Sequence, residues 1–268
     1  MSKNILITGA SAGLGKATAK HFSQNGYTVY GTSRNPDNQS DTSIQWLALD
    51  LAESVSVKKL AQYFIDNNIV IDALINNAGT GLVASVVDTN RKDWQQIFET
   101  NLFGPLQLIR LIYPQLKKSK RAAIVNIGSV ASEFGLPYRG AYSAVKSALS
   151  IATESLALEL KSQNMDVYIM HPGDFASNIN NNRIVVKDIH PDFQGHHDGI
   201  HQLINEHVSD GMNPEILAEK LFFLIHSRPK KFKHTLAPSL QKISAKLKQV
   251  LPYSYFQKLL LNHYKLNS

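Results

Sequence analysis

Two groups of residues in this sequence have types and spacings that could do chemistry. The first is Gly9-Ala-Ser-Ala-Gly13-Leu-Gly15, which follows directly on an apolar run. Glycines at a strand-to-helix turn permit positive φ and let an anion reach main-chain N–H groups that no Cβ shields. A helix opening at that point adds its partial positive charge, so the turn suits the pyrophosphate of a dinucleotide. The second group is Tyr142 and Lys146, four residues apart and therefore on one face of a helix. A tyrosine hydroxyl, with an ordinary pKa of about 10, releases its proton more readily when an ammonium is held beside it. Such a pair can protonate an oxygen that is gaining negative charge. Taken singly, each group has a plain alternative: glycines that only shape a turn, and a tyrosine and lysine that only share a helix surface.

Other chemistries are excluded or disfavoured. The 268 residues include no cysteine, which removes disulfides, thiolate zinc sites, iron–sulfur clusters and cysteine nucleophiles. His190, His196, His197, His201 and His207 cluster in one segment, and His197 and His201 have the spacing of a metal pair. No third ligand is evident, so solvated histidines and no metal are expected. His171, beside Pro172, reads as a structural or pocket-lining residue.

The elements that must position these groups alternate along the chain. Strands are expected at Asn4–Thr8, Tyr27–Thr32, Gln45–Asp50, Ile71–Asn76, Ala122–Ile127 and Asp166–Met170. Helices are expected at Leu14–Asn25, Val55–Asp66, Asp88–Leu111 with an interruption near Gly104-Pro105, and Tyr142–Ser162. Apolar strands without period-two alternation, separated by helices, mean a parallel sheet covered on both faces. No repeat or interdomain linker is visible.

Charge is unevenly spread. The net charge is +7, yet from Lys220 to Ser268 there are 10 basic residues and no acidic one, leaving 18 basic and 21 acidic before that point. The basicity belongs to the last 49 residues and argues against a nucleic-acid-binding body. In that tail Leu240, Ile243, Leu247, Val250 and Leu251 form one helical stripe, with Lys242, Lys246 and Lys248 outside it. Pro252 breaks the run, and Tyr253 to Tyr264 forms a second helix. The stripe fits packing on the body or on a twin subunit, and it also fits peripheral contact with anionic lipid. With no apolar run near the roughly 20 residues needed to span a bilayer, and no signal-type start, a cytoplasmic address is expected.

The run Thr8-Gly-x-x-x-Gly-x-Gly15 resembles the glycine signature of the short-chain dehydrogenase/reductase family, and the likeness continues in order. Asn76-Asn77-Ala78-Gly79 ends strand four, and Asn101 lies in the long helix. Ser129 stands thirteen residues before Tyr142 in Tyr142-Ser-Ala-Val-Lys146, and Pro172-Gly173 follows strand six. The resemblance is close over about residues 3–175. It implies an α/β fold: a doubly wound Rossmann domain over residues 1–237, with a seven-stranded, mostly parallel sheet in the order 3-2-1-4-5-6-7. Within it a substrate lid spans about residues 174–212, helical near Ile200 to Val208, and a helical extension covers 238–268.

The same resemblance implies an oxidoreductase that moves a hydride between a nicotinamide and a carbonyl or secondary alcohol. Tyr142 would exchange the proton, Lys146 would also bind the nicotinamide ribose, Ser129 would bond the substrate oxygen, and Asn101 would hold a water behind Lys146. Cofactor contacts fall on Gly9, Ser11, Gly13, Leu14, Gly15, Asp50, Leu51, Asn77, Ala78, Gly79, Pro172, Gly173 and Ser177. Strand two ends at Thr32-Ser33-Arg34 without an acidic residue to receive ribose hydroxyls, and Arg34 can grip a 2′-phosphate. NADP(H) is therefore expected over NAD(H). The tail resembles that of steroid- and retinoid-type members, which points to lipophilic substrates, and the long helices resemble the family's dimer-forming pair, so a homodimer or homotetramer is expected. A non-catalytic NADP(H)-binding scaffold is the alternative, although such proteins usually lose the tyrosine–lysine pair. An isomerase or dehydratase usually has a longer C-terminal substrate domain.

Overall fold

The run Asn4–Ile7 forms β1 at the middle of a seven-stranded sheet. The structure, a computed structural model, describes residues 2–176 and 183–266, with all their side chains except those of 207–209 and 246. The other strands are β2 (Thr28–Ser33), β3 (Ile44–Ala48), β4 (Ala73–Asn76), β5 (Ala122–Ile127), β6 (Met165–Pro172) and β7 (Lys233–Leu236). Every pairing is parallel, in the expected order β3-β2-β1-β4-β5-β6-β7.

Side-chain alternation along the strands feeds two cores. Ile5 and Ile7 of β1 join Phe22 of α1 (Gly13–Gln24) and Leu217 and Leu221 of α7 (Pro214–Ser227). Leu6, between them, joins Val57, Leu60 and Phe64 of α2 (Ser54–Asp66) and Leu108 and Ile112 of α4 (Gly104–Lys117). Burial of both faces explains why the central strands β1, β4 and β5 are nearly continuously apolar. Chain order reverses between β1 and β4, so their carboxyl ends open a crevice of the kind that holds ligands in such sheets.

Several elements differ from the sequence reading. The long helix is α3 (Arg91–Phe98), a π-helical turn at Glu99–Phe103, and then α4. Gly104 N–H reaches back five residues to Glu99 O, and Pro105 has no N–H to offer the Asn101 carbonyl four residues before it. The irregularity therefore begins upstream of the proline. The helix carrying Tyr142 and Lys146, α5, runs Gly140–Glu159. Helix α6 (Pro191–Ser209), in the segment expected to form a lid, starts earlier than the helix expected near Ile200 to Val208. Helix α7 was not expected; Asn213 caps it by accepting the Glu215 N–H at 3.0 Å.

The tail forms α8 (Ser239–Val250) and α9 (Tyr253–His263), but they pack through residues outside the apolar stripe. Gln241 Nε2 donates to Asp174, Phe256 meets Phe134 edge to face at 5.1 Å, and Tyr264 is buried with Val83, Ile200 and Ile204. Three residues of the stripe face outward instead, Leu240 at 70% exposure, Ile243 at 49% and Val250 at 74%, while Leu247 and Leu251 are half-buried. Among the described residues no helix is long and apolar enough to cross a membrane.

Candidate active site

The glycine turn is shaped by contacts that leave no room for side chains. Gly9 and Gly13 have positive φ, +67° and +49°. A Cβ on Gly15 would stand 2.1 Å from Gly9 O and 2.5 Å from Asn77 Nδ2. Asn77 ties this turn to the end of β4: its Nδ2 donates to Thr8 O at 2.9 Å, and its N–H donates to Thr8 Oγ1 at 3.0 Å. Helix α1 starts after Ala12, which offers no side-chain cap, and its first turn holds no acidic residue. Its leading N–H groups therefore point into the crevice without a side-chain acceptor.

The crevice is a cleft of about 530 Å³. Gly9, Ser11, Gly13, Leu14, Gly15, Arg34, Asp50, Leu51, Asn77, Ala78 and Gly79 all line it, as do Thr32 and Ser33. A bare glycine floor, uncapped N–H groups and a cationic end at Arg34 fit a dinucleotide with anionic phosphates.

A smaller cavity of about 120 Å³ shares Leu14, Asn77 and Gly79 with the cleft. Asn101, Ser129, Tyr142, Lys146, Pro172 and Gly173 line it. Lys146 is 5% exposed, and its Nζ donates to Ile127 O at 2.8 Å and stands 5.9 Å from the Tyr142 ring centroid. Burial pulls the Lys146 ammonium down from its ordinary value to about 8. Ser129 Oγ accepts the Ala131 N–H at 3.1 Å, which leaves its own hydroxyl proton to donate elsewhere. Asn101 sits in the π turn; its Nδ2 donates to Thr80 O at 3.1 Å and Ile97 O at 3.0 Å, and its Oδ1 accepts Thr80 N–H at 3.2 Å. A Cβ on Gly79 would lie 2.6 Å from Asn101 Oδ1 and 3.6 Å from Lys146 Nζ, so all three crowd one spot. Ser177 lies outside the described residues, as does the His207 side chain.

Two buried networks that sequence reasoning missed position these groups. Asn76 Nδ2 donates to Asn126 Oδ1 at 2.8 Å, and Asn126 Nδ2 donates to Thr153 Oγ1 at 2.9 Å. This ladder fixes α5 against β4 and β5, and with it the height of Tyr142 above the sheet. Behind the cavity, Glu133 takes His171 Nδ1 at 2.8 Å and the Lys233 ammonium, while His171 Nε2 meets Ser150 Oγ at 2.9 Å. Ser150 Oγ donates to Lys146 O at 2.9 Å, so the network ends on the main chain of the cavity lysine. The hydrogen bond from His171, with Lys233 beside it, holds the Glu133 carboxyl far down, at about 2. His197 and His201 do approach each other, but His197 Nε2 donates to Val83 O and His201 Nδ1 meets Asn205.

Comparison with known proteins agrees with this architecture. The short chain dehydrogenase family profile matches residues 3–185. A 3-ketodihydrosphingosine reductase from Bacteroides thetaiotaomicron is 32% identical over 255 residues, covering 94% of each chain. Two solved short-chain dehydrogenases share the fold at lower identity. One from Burkholderia cenocepacia, in complex with NADP, is 20% identical with a TM-score of 0.74, covering 98% of this chain and 97% of that one. One from Burkholderia phymatum, in complex with NAD, is 21% identical with a TM-score of 0.79, covering 92% and 93%. With a family match over more than half its length and a relative aligned nearly end to end, this chain belongs to the short-chain dehydrogenase family of oxidoreductases.

Proposed function

We propose that this oxidoreductase uses NADP(H) to interconvert a carbonyl and a secondary alcohol on a lipophilic substrate. The observation that carries the reading is the shared wall: the cavity of Tyr142, Ser129 and Lys146 opens beside the glycine-floored cleft. Bound in that cleft, the nicotinamide would supply or take up the hydride. The chain's own residues do the rest. The Tyr142 hydroxyl delivers a proton to the carbonyl oxygen as that oxygen becomes negative, and the Ser129 hydroxyl donates to the same oxygen. Lys146 keeps a positive charge beside the phenol and offers its remaining protons to the ribose hydroxyls. Asn101 braces Thr80 next to Lys146, and Pro105 leaves the Asn101 carbonyl without its α-helical donor, which supports a water held there. Arg34, at the end of β2 where no carboxylate stands, favours the 2′-phosphate of NADP(H).

Support for a lipophilic substrate comes from the apolar side chains Leu82, Val83, Phe175 and Ile204 around the cavity, and from the relative named for a keto-sphingoid base. Exposed Phe103 at the end of the π turn, with Ile151 and Leu158 on α5, supports a homo-oligomer. The exposed Leu240, Ile243 and Val250 of α8, with the exposed Lys242, support peripheral contact with anionic lipid. Cosedimentation of the whole chain with anionic but not neutral vesicles tests that contact.

The test of the reading is NADPH oxidation against a panel of fatty, steroid and retinoid carbonyls. At least one should be turned over. NADPH binding without turnover of any carbonyl would favour the non-catalytic scaffold.

A further inference from the structure

Two guanidinium groups stand in the wall of the small cavity, and the reaction above uses neither. Arg139 lies three residues before Tyr142, with its Cζ 5.1 Å from the Tyr142 ring centroid. It is presented by Tyr138, which has a left-handed φ of +56°. That backbone conformation is costly for a residue with a bulky side chain, and such strain gathers at functional sites. Ala84 N–H holds it by donating to Tyr138 O at 2.8 Å.

Arg183 enters from the segment across the cavity. Its stem packs on Gly81, where a Cβ would come within 3.2 Å of Arg183 Cγ. Its Nη1 donates to Asn205 Oδ1 at 2.7 Å, and Arg139 meets the Tyr264 hydroxyl. Both partners are neutral. Among the described residues no carboxylate forms an ion pair with either arginine. Asp174, which also lines the cavity, is engaged by Gln241. Burial, with the like charge of Arg139 beside it, pulls Arg183 down to about 10, still charged at neutral pH. Two partly buried cations that repel each other and share no carboxylate among the described residues carry an electrostatic cost. An anion arriving between them removes that cost and gains charge-assisted hydrogen bonds.

We propose that the carbonyl substrate bears an anionic group, a carboxylate or a phosphate ester, close to the reacting carbon, and that Arg139 and Arg183 bind it. The carbonyl in this statement rests on the oxidoreductase reading; the anion grip does not. Arg183 also borders the cofactor cleft, so the experiment must separate a substrate anion from the cofactor's own phosphates.

The test uses the whole chain saturated with NADP+. Octyl phosphate and octanoate are titrated against octanol by calorimetry, in wild type, Arg139→Gln, Arg183→Gln and the two Lys variants. At least one of the two anions should bind ten-fold or more tighter than octanol. Each Gln variant should lose about 10- to 100-fold on that anion, and the Lys variants should recover part of it. In parallel, kcat/KM is compared for a 3-oxo acid and its uncharged methyl ester. The Gln variants should lower the acid by a similar factor, change the ester less than three-fold and leave the NADP+ Kd unchanged. Equal wild-type affinity for octanol and both anions, equal losses on acid and ester, or a weakened NADP+ Kd in Arg183→Gln would each overturn the proposal. Absence of turnover on both keto compounds, with anion binding lost only in the Gln variants, would sink the oxidoreductase reading and leave the anion site standing.

Discussion

Lys146 gives one of its ammonium protons to the main-chain carbonyl of Ile127 at 2.8 Å, which fastens the cation to the last residue of β5. Anchored there, the ammonium cannot follow solvent, and burial lowers it to about 8. The proposed carbonyl reduction uses it charged. The kcat/KM for reduction should be level below about pH 8 and fall as pH rises past it. Lys146→Met should reduce kcat by at least about 100-fold and remove that limb. A rate–pH profile of both proteins checks this.

The floor of the cleft makes a second prediction. Gly15→Ala puts a Cβ 2.1 Å from Gly9 O, a distance that forces the turn to move. Cofactor affinity should drop by more than about 10-fold, with a stability loss of about 1–3 kcal/mol. Fluorescence titration with NADPH and a denaturant melt read the two effects. Gly26→Ala, where nothing lies within 4 Å of the added atom, is the control for cofactor affinity.

Arg34 lines the cleft just after the end of β2. Replacing it with Leu should cost about 10- to 100-fold in kcat/KM for NADPH and leave NADH within about three-fold. An unchanged ratio between the two cofactors would contradict the NADP(H) reading.

Glu133 accepts from both His171 and Lys233, and its carboxyl is held at about 2, below the ordinary 4.5. A carboxylate with a depressed folded-state pKa stabilises the fold above its unfolded value and loses that contribution as pH falls through the folded one. Glu133→Gln should cost about 1–3 kcal/mol at neutral pH. The gap to wild type should be full above about pH 5 and narrow as pH falls from about 4.5 toward 2. Urea melts across that range measure it.

Local signals made much of this fold readable. The glycine turn, Tyr142-x-x-x-Lys146 and the apolar strands are each written within a few consecutive residues, so their geometry follows from short-range sterics and periodicity. What escaped was long-range. The Asn76–Asn126–Thr153 ladder joins residues 50 and 27 positions apart, and nothing in any one segment announces it. Arg139 sits three positions before Tyr142, just ahead of α5, close enough in sequence to be noticed, whereas Arg183 reaches the cavity only through tertiary packing. The tail stripe is correctly periodic, yet periodicity does not say which side meets the body. Gln241, Phe256 and Tyr264 decided that, and turned Leu240 and Val250 outward.

The account stands most directly on the Tyr142 hydroxyl. Tyr142→Phe keeps the ring against Arg139 and removes only the hydroxyl, the proposed proton donor. With a carbonyl substrate and NADPH, kcat should fall by about 100- to 10,000-fold while the NADPH Kd stays within about two-fold of wild type. Turnover near the wild-type rate in that variant would contradict the assignment of the reaction to this cavity.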